Sequence, residues 1–197
     1  MAGFINGRCA ILSDLSASFS PVNRLGKGRE VVQRFLNIQL PWVVAGFGRG
    51  KIVNYESQVA GQGYSVAYHG LFHQNSAEAT VYFYTNCSNY IPDGCDDEII
   101  VDTFRDAIDE IIFTNNNLLK CECNVIKVGK YALHDDGAAY LYAGFEIISS
   151  SDRKQSHMFF RGYAGRFFKI RLSLPAEETF DNAPFKFIQE FADLAGM

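Results

Sequence analysis

The chain has 197 residues, is 48% hydrophobic and 20% charged, holds 17 Phe and 10 Tyr, and carries a formal charge of −4 with a pI near 5.5. That balance excludes global disorder, and a chain this long buries about 70% of its unfolded surface in one core without disulfide staples. The negative charge argues against a general nucleic-acid or anionic-membrane binder, and no run approaches the roughly 20 apolar residues that span a bilayer.

Residues 1–28, rich in Ser, Asn and Gly, read as an amino-terminal arm or irregular segment, with Phe4 and Ile11 or Leu12 as anchors. A single α+β domain is expected over 29–197. The apolar patch after Arg8, from Cys9 to Leu12, is too brief for a signal-peptide core, so a cytoplasmic protein is expected, or a periplasmic one if a leader has been removed. Residues 29–40 suit a short helix running into an extended piece that Pro41 ends. The glycine-dense Gly46-Phe47-Gly48-Arg49-Gly50-Lys51 reads as a loop or bulge before a strand. It is not a P-loop, because Ala45 stands where glycine is needed and Ile52 where Ser or Thr is needed. Alternation over 64–69 and the β-branched, aromatic run 79–85 give two more strands of an antiparallel meander.

Residues 96–113 carry the clearest periodicity in the chain. Ile100, Val101, Phe104, Ala107, Ile108, Ile111 and Ile112 share one arc of a helix, and Asp102, Thr103, Asp106, Asp109 and Glu110 fill the other. Asp96 and Asp97 suit its start and Asn115, Asn116 and Asn117 its stop. Strands then follow over 124–133, 140–148, 157–163 and 166–174, with a hairpin turn at Asp135-Asp136-Gly137. In the last strand Phe168, Ile170, Leu172 and Leu174 face one way, and Phe167, Lys169, Arg171 and Ser173 the other. A closing helix over 183–195 has Pro184 in its first turn, Asn182 as cap, a stripe of Phe187, Ile188, Phe191 and Leu194, and Gly196 as stop.

The fold class that follows is a mostly antiparallel sheet covered by amphipathic helices. The runs YSVAYHG and ATVYFYT before DDEIIVDTFRDAIDEIIF, and RGYAGRFFKIRLSLP before APFKFIQEFADLAG, resemble in their order the PsbP-like fold group, over roughly residues 42–195. The resemblance implies an α/β/α sandwich and a noncatalytic binding or assembly module, and it assigns no residue a role.

Several groups of residues are candidates for chemistry. His69 and His73, with His134, Asp135 and Asp136, offer imidazole and carboxylate ligands for a small hydrolase or metal-dependent enzyme, although solvent-exposed turn residues are the expected reading. Cys121 and Cys123 project to one side of a strand, and Cys87 and Cys95 flank a loop that a disulfide would close; reduced, inert thiols are the expected state of the five cysteines. The acids Asp102, Asp106, Asp109 and Glu110 read as a solvated helix face or a docking surface for a basic partner. If the late strands are neighbours, Tyr140, Tyr142, Arg161, Tyr163, Lys169 and Arg171 form an aromatic and cationic face, expected first as a sheet face partly covered by the terminal helix or the arm, with Lys and Arg stems along the rings, and otherwise as one that would clamp an acidic ligand or stack single-stranded nucleic acid. The expected function is a binding or accessory module for another protein, with no cofactor; the enzyme and the nucleic-acid reader stand as alternatives.

Overall fold

Runs of alternating apolar and aromatic residues pair into one sheet in the computed structural model, which describes residues 38–70, 77–133, 138–176 and 182–197. Among these residues the strands are β1 (Val43–Val44), β2 (Phe47–Asn54), β3 (Tyr64–Gly70), β4 (Glu78–Tyr84), β5 (Glu122–Ala132), β6 (Ala139–Ile148), β7 (Arg153–Tyr163) and β8 (Arg166–Pro175). Two α-helices accompany them, α1 (Glu98–Phe113) and α2 (Ala183–Ala195). The arm expected over 1–28, the helix expected from residue 29, His73 and the turn at Asp135-Asp136-Gly137 lie outside the described residues.

The strand order is β1-β2-β3-β4-β8-β7-β6-β5, and every pairing is antiparallel. β1 to β4 form one meander, α1 lies between β4 and the far edge strand β5 in the chain, and β5 to β8 return until β8 pairs with β4. The glycine-dense stretch is β2 itself and not a loop. Ala45 and Gly46, both at positive φ, make the two-residue hairpin from β1, and a register shift between Arg49 and Ile52 supplies the bulge. Ala164 and Gly165 turn β7 into β8 in the same way.

α1 starts as its sequence demands, with the Asp97 carboxylate accepting from the Ile99 amide. It does not stop at the three asparagines. Thr114–Leu118 continue as a wide π-helical turn, in which Asn115 donates to the Ile111 carbonyl at 2.8 Å and Asn117 to that of Phe113 at 3.1 Å. Lys120, at φ 56°, is the residue that takes the left-handed conformation.

Alternation along β8 divides the core. Phe168, Ile170, Leu172 and Leu174 pack with Phe187, Ile188 and Phe191 of α2, whereas Phe167 packs with Ile100, Phe104, Ala107 and Ile111 of α1. Each large apolar side chain so buried contributes about 1.5–3 kcal/mol. Leu194 is not part of the α2 stripe; it is half exposed, and the smaller Ala192 and Ala195 close the contact instead. Asn182 precedes α2 at φ 76° with no capping side-chain bond, and Gly196 ends the helix at φ 71°.

Candidate functional site

The six residues expected to share one face are divided by the β7–β8 register. Arg161 lies opposite Phe168, so Lys169 lies opposite Phe160 and Arg171 opposite Met158. Directly opposed residues point to the same side of a sheet. Tyr140, Tyr142, Arg161 and Tyr163 therefore belong to the α2 side, and Lys169 and Arg171 to the α1 side. Tyr140 and Tyr142 are buried among Phe159, Phe168 and Phe185, which closes them to a stacking base. The Arg161 guanidinium stands 5.2 Å from the centre of the Tyr140 ring. Lys169 is buried too, its ammonium 4.6 Å from the Tyr82 ring centre and 5.6 Å from that of Tyr84.

Arg171 has a different setting. It lines a cleft of about 440 Å³ with Glu78, Thr80, Tyr82, Asn115, Leu119, Cys121, Ile147, Ser149, Asp152, Lys154 and Ser173. The sheet register builds the floor: Thr80 opposes Arg171, Glu78 opposes Ser173, and Ser173 opposes Ser156. Arg171 Nε donates to Ser156 Oγ at 3.2 Å, and Ser173 Oγ lies 3.1 Å from the same oxygen. Ser156 is fully buried, so this anchor is fixed. The two terminal amino groups of Arg171 make no hydrogen bond among the described residues. The π-helical turn contributes Asn115, and Leu119, the residue that follows it, lines the cleft while about 60% exposed.

The acidic face of α1 is less uniform than its sequence suggests. Asp102 pairs with Arg105 at 3.1 Å, and Asp106 and Asp109 are exposed, but Glu110 turns toward the sheet. Burial raises its pKa, against the pull of Lys169 and Arg171, and its Oε1 is enclosed without a hydrogen-bond partner. The Tyr84 hydroxyl is enclosed in the same way, its pKa pushed up by burial first and then by Glu110. On the other side of the sheet, His157 Nδ1 lies 2.9 Å from the Tyr142 hydroxyl, and burial lowers the imidazole pKa to about 4.

Of the histidine and aspartate group considered for catalysis, only His69 lies among the described residues; it sits at the end of β3 with its ring over Gly50. Cys87, Cys95, Cys121 and Cys123 are free thiols, so no bridge closes the loop between Cys87 and Cys95. Burial raises the pKa of Cys95 and of Cys123, which keeps both in the unreactive thiol form. Among the described residues no group of three or more His, Cys, Asp or Glu is placed to hold a metal ion. Ser156, Thr80 and Glu78 escaped attention in the sequence. The signal was there in part, since Lys169, Arg171 and Ser173 alternate with the apolar Phe168, Ile170, Leu172 and Leu174 of the strand, but their neighbours in the sheet are set by register.

The chain is thus an α+β protein, with an antiparallel sheet, two packed helices among the described residues and a cleft of mixed polar and apolar lining beside the end of the first. Its fold resembles that of PsbP: the solution structure of cyanobacterial PsbP (CyanoP) from Synechocystis sp. PCC 6803 is similar with a TM-score of 0.45 at 14% identity, over 77% of this chain and 93% of that one. The likeness is one of fold and bears on neither activity nor partner. No family model and no curated protein matches the chain. Among the described residues no helix is long and apolar enough to cross a membrane.

Proposed function

We propose that this chain is a noncatalytic binding module, an α/β/α sandwich that docks a segment of another protein in the cleft between the end of α1 and the β4–β8 floor. The observation that carries the reading is Arg171, which lines the cleft with its Nε held by a buried serine and its terminal amino groups making no hydrogen bond among the described residues. Arginine is prominent at protein interfaces because its planar fork reads oxygen acceptors and its stem packs on apolar neighbours. Leu119 and Ile147 supply apolar surface in the cleft, and Thr80, Ser173 and Asn115 polar groups. A partner segment bearing an apolar residue beside a hydrogen-bond acceptor complements that arrangement.

A photo-crosslinking residue at Leu119 in the full chain tests this in a cell extract. The expected result is a defined crosslinked protein that disappears when Arg171 is replaced by Glu and persists when Arg161, on the other side of the sheet, is replaced by Glu. Crosslinking that ignores Arg171, or that is lost equally with Arg161→Glu, contradicts docking in the cleft.

A further inference from the structure

We infer that the group anchored in this cleft is a single planar carboxylate, the side chain of an Asp or Glu on the docking segment, held by the two terminal amino groups of Arg171. The inference rests on the docking reading above and names the chemistry of the occupant.

Three features point to it. Ser156 takes the Nε of Arg171, so the remaining donors are the paired amino groups, whose spacing matches the two oxygens of one carboxylate. Of the two cations lining the cleft, Lys154 is already paired with Asp152 at 3.2 Å, whereas Arg171 forms no salt bridge among the described residues. Glu78 is an exposed carboxylate in the same lining, and Glu110, close enough for Arg171 to lower its pKa, lies nearby on α1. The two acids of the lining balance its two cations, so a dianionic phosphate brings twice the negative charge of a carboxylate into a site with no net positive charge to offset it. Leu119 and Ile147 in the lining then favour an apolar neighbour of the acidic residue. Position and charge thus select a short acidic and apolar stretch of polypeptide.

The isotopically labelled full chain would be titrated with a blocked peptide of alternating Leu and Asp, with the same peptide carrying Asn for Asp, and with inorganic phosphate, while backbone amide shifts are followed. Saturable shifts at Thr80, Asn115, Leu119 and Arg171 are expected with the Asp peptide, at least tenfold weaker binding with the Asn peptide, and none with phosphate at matched ionic strength. Arg171→Lys should weaken the Asp peptide at least tenfold, and Glu78→Gln, at an exposed position that leaves the core intact, should tighten it. Equal binding of the Asn peptide, binding of phosphate as tight as that of the Asp peptide, no shift at those residues, or indifference to Glu78→Gln overturns the carboxylate. Each of these results leaves docking in the cleft standing if the Leu119 crosslink still depends on Arg171. Loss of that dependence removes both.

Discussion

Arg171 Nε and Ser156 Oγ meet at 3.2 Å across the β7–β8 pairing, and this contact orients the cation of the cleft lining that forms no salt bridge among the described residues. Removing the hydroxyl frees the guanidinium without touching its charge. Ser156→Ala should lower stability by about 1–2 kcal/mol in urea unfolding and loosen the Arg171 side chain, seen as a reduced order parameter at its Nε. An unchanged order parameter would mean that the serine does not position the arginine.

Glu110 bears on the same region from the helix side. Its folded pKa is raised by burial, so the unfolded chain ionises first and stability falls as pH rises through the unfolded value toward the folded one. Glu110→Gln removes that penalty. The variant should be more stable than the parent at pH 7 and lose the advantage at pH 4, in paired thermal melts.

His157 works with the opposite sign of pH. Its folded pKa, lowered to about 4 from an ordinary 6.5, makes the unfolded chain the better proton binder in the window between those values. Stability contributed by the neutral imidazole is therefore complete above about pH 6.5 and declines as pH falls toward 4, by at most about 1.4 kcal/mol per pH unit. His157→Phe should flatten that part of the urea-midpoint profile. A slope that survives the substitution would assign it to other groups.

Gly162 fixes the loop that leads into α1. It exchanges two backbone hydrogen bonds with Gly94, at 3.0 and 2.7 Å, and a Cβ built on it would lie 1.8 Å from the Pro92 carbonyl oxygen. The Asp93 carboxylate then accepts from the Ala164 amide at 2.7 Å. Gly162→Ala must push the loop off the sheet and should cost about 3 kcal/mol in chemical denaturation, as overpacking compounded by lost hydrogen bonds.

The parts of the fold written in local periodicity were legible. Ile100, Phe104, Ala107 and Ile111 recur at helical spacing and bury one face of α1, Asp97 caps it, and the alternation of Phe168, Ile170, Leu172 and Leu174 gives β8 its inner face. Glycine hid the first half of β2, because Gly48 and Gly50 interrupt the alternation that would mark a strand, and the asparagines after α1 suited a stop that a π-helical turn postpones. The candidate face was not legible for a different reason. Whether Arg161 shares a side with Lys169 depends on one residue of register, and a shift of one moves every side chain to the other face. The pairing of Arg161 with Phe168 is decided by the Ala164-Gly165 hairpin, and it separates the tyrosines from Arg171.

The most direct test of the account is hydrogen exchange of the full chain with and without the protein captured at Leu119. Docking in the cleft predicts slowed exchange at the 114–119 turn and at residues 78–80 and 171–173, with the outer edge of β5 and the α2 face unchanged. Protection confined to β5 or α2, with the cleft residues exchanging as in the free chain, would contradict it.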